Sequence, residues 1–231
     1  MISKLFSNKI AVIIIVLLTL IFLGFWSPWF NWKFNWVSLL GIDSQNKTSG
    51  LKVLSHTGVL DIYIDDKFMG STVDNENSFD ISAIIPGEHI VKLIRKSESG
   101  QYVEIIRKLN FEPAVDVIIG YELGPSESFS EGHILYTQKN FIQNKQTTLE
   151  IFSNPAGQKV SLDGRYIGDT PVKEIDIDLS SKHKFKFEKA GYDSLEIEIL
   201  PDTQEDRDKL KGLKLVLEVN LFAQPLEMVN Q

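Results

Sequence analysis

Residues 51–72 and 149–170 carry one pattern twice, a constant 98 positions apart and without a gap. Leu51 and Leu149, Ser55 and Ser153, Asp65 and Asp163, Gly70 and Gly168, and Thr72 and Thr170 are identical pairs. Others keep their character, among them Val53/Ile151, Ile62/Val160, Lys67/Arg165 and Phe68/Tyr166. A duplication constrains architecture before any single residue does, because both copies must build the same supersecondary unit. Neither copy concentrates reactive side chains, so the chain reads as a display or interaction module and not as an enzyme.

The first forty residues carry an address. No charged side chain lies between Ile10 and Trp32, and Ile10 to Trp26 is apolar apart from Thr19 and Gly24. A helix needs about 20 such residues to cross a hydrocarbon core roughly 30 Å thick, and a lone crossing segment must satisfy its own backbone, which only a helix does. A transmembrane helix is therefore expected over 10–28. Lys4 and Lys9 precede it and the next charge is Lys33, which places residues 1–9 in the cytoplasm and the remainder outside. The exit Gly24-Phe25-Trp26-Ser27-Pro28-Trp29 favours a retained anchor over a cleaved signal. With no cysteine in the chain, no lipid-modified cysteine and no disulfide can support it.

All four tryptophans, Trp26, Trp29, Trp32 and Trp36, follow the crossing, where amphipathic rings suit the headgroup level. Residues 29–49 are expected as an aromatic interfacial segment ending in a polar tether.

From residue 50 the alternation has period two: Asp61-Ile62-Tyr63-Ile64-Asp65, Leu195 to Ile199, and above all Leu213, Leu215, Leu217, Val219 and Leu221. Such runs are half-buried strands. Turn signals recur between them at Asp65-Asp66, Pro86-Gly87, Asp163-Gly164 and Ala190-Gly191, which predicts an all-β pair of small sandwiches.

The stretch Ser153-Asn154-Pro155-Ala156-Gly157, continuing through Asp163, Gly164, Gly168, Thr170 and Pro171 to Gly191 and Tyr192, resembles a PEGA domain, a small β domain named for a Pro-Glu-Gly-Ala motif. Pro155 and Gly157 match the naming motif, while Ala156 and Gln158 stand where Glu and Ala would be. The first copy keeps Asp65, Gly70 and Thr72, replaces the turn glycine by Asp66, and carries Pro86-Gly87-Glu88-His89, similar to the family's approach to a following strand. The resemblance covers about residues 50–124 and 147–224 and implies two surface-exposed tandem domains, without catalysis. The glycines and prolines of these motifs are expected to shape backbone, since glycine supplies positive φ and proline presets its own.

Residues 125–146 have linker composition, so the domains are expected to be separable there, although His133-Ile134-Leu135-Tyr136 and Phe141-Ile142 could add a strand. Gly132 is expected only to loosen the chain. Residues 225–231 form a tail, and Asp202 to Lys209 a solvated tip or short helix. His56, His89, His133 and His183 lack metal-ligand spacing, although His89 and His183 recur in equivalent positions. The acidic Asp65, Asp66 and Asp74 lack the spacing of a calcium loop. No catalytic residue, metal or cofactor is expected.

Beyond Ser49 the chain has 20 basic and 30 acidic residues, a formal net charge of −10 that repels nucleic acid. Lys182, Lys184 and Lys186 form one basic stripe opposite Phe185 and Phe187. The expected function is a membrane-anchored, extracytoplasmic display protein whose partners are the lipid bilayer and a surface protein or glycan. The alternatives are a scaffold subunit pairing through sheet edges, or a non-catalytic accessory of a separate enzyme.

Overall fold

The computed structural model describes residues 48–73, 78–97, 100–138 and 146–225. The expected transmembrane helix, Trp26, Trp29, Trp32, Trp36, Asp74 and Phe141-Ile142 lie outside the described residues. No helix among those described is long and apolar enough to cross a membrane.

The described chain is almost wholly β, as the alternation predicts. The first copy supplies β1 (Ser49–Leu54), β2 (Leu60–Ile64), β3 (Lys67–Ser71), β4 (Phe79–Ile84), β5 (Gly87–Arg95), β6 (Ile105–Phe111) and β7 (Asp116–Glu122). The second repeats the series as β9 (Thr148–Asn154), β10 (Lys159–Leu162), β11 (Arg165–Asp169), β12 (Val172–Asp176), β13 (Lys184–Glu188), β14 (Leu195–Glu198) and β15 (Lys214–Asn220). Between them runs β8 (Glu131–Gln138), and a single α-helix among the described residues, α1 (Gln204–Lys209), precedes β15.

Three sheets result. The small sheets have the orders β3-β2-β5-β6 and β11-β10-β13-β14, one from each copy, and a seven-stranded sheet runs β12-β9-β15-β8-β7-β1-β4. Within the large sheet β1 is parallel to β7 and β9 parallel to β15, while β8 is antiparallel to both β7 and β15. The expected linker therefore contains the central strand. Its apolar residues are consecutive, and strands buried on both faces read this way. Ile134 enters one core with Val117, Ile119 and Tyr121, while its neighbour Leu135 enters the other with Leu215, Leu217 and Val219. Adjacent strand residues point to opposite faces, so the two small sheets pack on opposite sides of the large one. A half-turn about the long axis of β8 relates the copies.

Gly132, expected to loosen the chain, is buried in β8, where a Cβ would strike the Gly120 carbonyl and the Tyr121 ring. Nearby, Asn220 fastens the segment before β8. Its Nδ2 donates to the carbonyls of Glu127 (2.9 Å) and Ser130 (2.5 Å), and its Oδ1 accepts from Asn154 (2.8 Å). The tip from 202 to 209 holds α1, capped by the Thr203 hydroxyl, which accepts from the Asp206 N–H at 3.1 Å. The helix buries Arg207, which donates to the carbonyls of Leu179, Pro201 and Asp202.

Candidate functional site

The residues repeated in the sequence converge on one local device, built twice. Asp163 and Gly164 close the β10–β11 hairpin with φ of 50° and 82°, and Asp65 and Asp66 close β2–β3 with 49° and 62°. A two-residue turn with positive φ at both positions matches the twist of the strands it joins. Each turn Asp then reaches the next strand. Asp65 Oδ1 accepts the Ile90 N–H (2.9 Å) and its Oδ2 meets His89 Nδ1 (2.6 Å). Asp163 does the same with the Lys184 N–H (2.9 Å) and His183 Nδ1 (2.6 Å). The far ring nitrogens face the carbonyls of Ile85 (2.7 Å) and Asp178 (2.8 Å).

Both nitrogens of His89 thus face acceptors, which only the imidazolium can satisfy together. Burial opposes that charge, but the hydrogen bonds to Asp65 and then to Ile85 outweigh it and raise the His89 pKa above its ordinary value. The hydrogen bond from His89, then that from the Ile90 N–H, holds the Asp65 carboxyl below the usual carboxylate range. Asp163 is lowered by the Lys184 N–H first and His183 second.

The other repeated residues also serve backbone. Thr72 Oγ1 accepts the Leu60 N–H (2.8 Å) and Thr170 Oγ1 the Gln158 N–H (2.9 Å). The Ser55 and Ser153 hydroxyls donate to the carbonyls of Thr57 (3.2 Å) and Pro155 (2.8 Å). Gly70 and Gly168 take φ of 150° and 144° in β3 and β11, beside a shift of register with β2 and β10. Pro86 and Gly87 lead from β4 into β5. Pro155 and Pro171 each follow a cis peptide bond. Lys189 donates to the Ala156 carbonyl at 2.7 Å, beside Gly157, and after Gly191 (φ 81°) Tyr192 bridges to Ala223. The structure gathers these residues around turns and strand starts, not into one pocket. Among the described residues no group of three or more His, Cys, Asp or Glu could hold a metal ion.

One span of the second copy, from just before β9 to just past α1, matches a known domain. Residues 146–211 are a PEGA domain. None of the curated proteins matches the chain. In this PEGA domain the stripe of Lys184 and Lys186 pairs with Glu196 (2.5 Å) and Glu188 (2.8 Å), above Phe185 and Phe187 in the core.

The outer faces of the two small sheets differ. Cross-strand register aligns Phe68, Tyr63, Lys92 and Ile106 in one row over β3, β2, β5 and β6. Tyr63 and Phe68 rings lie 5.4 Å apart and Lys92 Nζ sits 4.9 Å from the Tyr63 ring. Phe68, Ile90 and Ile106 are 52%, 49% and 53% exposed, an apolar surface left to solvent. In the PEGA domain the corresponding row is Tyr166, Ser161, Lys186 and Glu196. Sequence reasoning missed this face. Its signal was present in Tyr63, Ile90 and Ile106, which are apolar at positions alternating with the core-facing residues of their strands.

Proposed function

We propose that the chain is a non-catalytic interaction module, anchored by its N-terminal apolar segment and displayed outside the membrane, that binds a surface protein through the outer face of the first copy's small sheet. The two copies are tandem PEGA-like domains in this reading, the first diverged from the second. Supporting that kinship, Asp65–His89 and Asp163–His183 make the same contacts at 2.6 Å.

The observation that carries the reading is the contrast between equivalent faces. Apart from Tyr166, 52% exposed, one copy covers its small sheet with the Lys184–Glu196 and Lys186–Glu188 pairs, while the other leaves Phe68, Ile90 and Ile106 half exposed beside the Lys108–Glu88 pair. Contiguous apolar surface on a soluble face marks interaction sites. Edge-to-edge pairing has less support, because β4 and β12, the outermost strands of the large sheet, are each irregular, with Ala83 and Glu174 at φ of 65° and 43°. Bulges of this kind blunt an edge.

The test is co-purification from detergent-solubilised membranes. The native chain should retain a partner that F68S/I106S loses, with unchanged melting temperature and unchanged membrane retention. Equal recovery of the same partner by the variant would refute the face, and a chain that leaves the membrane without detergent would refute the anchor.

A further inference from the structure

A groove of about 410 Å³ lies on the opposite face of the large sheet from the first copy's small sheet. Its floor is β1, β7 and β8, through Leu54, Ile118, His133 and Leu135, and its far wall is the segment leading into α1. Register places Leu54, Gly120 and His133 side by side on this face, with Lys52, Ile118 and Leu135 in the next row. This volume falls within the range of small-ligand sites.

His133 differs from the two clamped histidines. Its ring is half-buried, lines the groove and has no hydrogen-bond partner among the described residues. Burial drives its pKa down to about 4, so near neutral pH it offers one N–H donor and one bare nitrogen. Gly120 makes its position possible, since a Cβ there would sit 2.6 Å from the His133 ring. His133 is half-buried, and its unpaired ring opens onto a concave site where a ligand could take up both nitrogens.

The surroundings restrict what could complete it. Lys182 already pairs with Glu198 (3.5 Å) and Asp202, and Lys209 with Asp206 (2.6 Å). Lys52 and Asp116, of opposite sign, share the mouth. Rim charge is therefore largely compensated, and a neutral imidazole adds none, which favours an uncharged ligand. A secondary amide matches the donor and acceptor of the ring, while Leu54, Ile118 and Leu135 accept an aliphatic group. An N-acetylated sugar also carries an amide, but the described lining has no Phe, Tyr or Trp on which a sugar ring could stack.

We propose that this groove binds a short apolar peptide segment of a partner, with a backbone amide hydrogen-bonded to His133 and an aliphatic side chain on the floor. The site is separate from the exposed sheet face and stands whether or not that face binds anything.

The chain has only four histidines, so ring-selective labelling of the full-length protein in detergent gives four resolvable NMR signals. Titration with N-acetyl-L-leucinamide should shift and saturate the His133 signal and leave His56, His89 and His183 in place. H133F keeps a ring over Gly120 but removes both polar atoms, and should weaken the ligand's effect on the Leu54 methyl signals by about tenfold, the equivalent of one well-placed hydrogen bond. In case H133F does not fold, L54D should abolish the His133 shift by placing charge on the apolar floor. An unmoved His133 signal, or equal shifts from N-acetylglucosamine, would overturn the proposal.

Discussion

At the residue scale, the duplicated positions are those where backbone geometry leaves few choices. Asp66 is informative because the second copy has Gly164 at the same place in the turn, and both hold positive φ. Glycine meets no Cβ penalty there, whereas Asp, though among the better tolerated L-residues, still does. We expect D66G to stabilise the protein by about 1 kcal/mol and G164A to destabilise it by a similar amount, measured by chemical denaturation. The Asp65–His89 pair gives a second expectation with a definite sign. His89 is raised in the folded state, so its contribution is complete below the ordinary histidine pKa of about 6.5 and disappears as pH climbs through the raised value. Asp65 is lowered, so its contribution is complete above the ordinary carboxylate range and disappears as pH falls through the lowered value. The melting temperature should therefore show an excess in the mildly acidic range that D65N removes. Identical pH profiles for D65N and the native chain would contradict the clamp.

At the scale of elements, β8 performs the joining. Ile134 and Leu135 are 1% and 4% exposed and serve opposite cores. Truncating a fully buried Ile or Leu costs roughly 2–5 kcal/mol. Because both cores share this strand, I134A and L135A should each lower the stability of the whole described region in one cooperative transition, not melt one copy and spare the other. Two resolved transitions in a calorimetric scan of either variant would show the copies to be energetically independent. The Arg107–Glu218 contact (3.3 Å) and the Tyr136 hydroxyl on Glu218 (3.0 Å) add polar links across the same junction. Partial exposure of that ion pair keeps its expected contribution small.

At the scale of the whole molecule, the sequence and the structure agree where local rules suffice. Alternation in β15 foretold Leu215, Leu217 and Val219 as core, and Asp163-Gly164 foretold its hairpin. The linker composition of 125–132 concealed β8, because polarity describes the approach to a strand and not the strand itself. The run His133-Ile134-Leu135-Tyr136 did carry the signal, since consecutive apolar residues suit a strand covered on both sides. Asp65 and Asp163 were recognisable as repeated turn residues, but their histidine partners stand 24 and 20 positions away, where spacing alone does not pair them. The vacancy at Gly120 that admits the His133 ring was illegible for the same reason: it depends on which strands become neighbours.

The half-turn about β8 has a geometric consequence for recognition. Tandem modules strung like beads can grip one large object with both units and gain avidity from the short connection between them. Here the equivalent surfaces look away from each other, like the two sides of a coin. A flat body laid against one of them leaves the other turned outward.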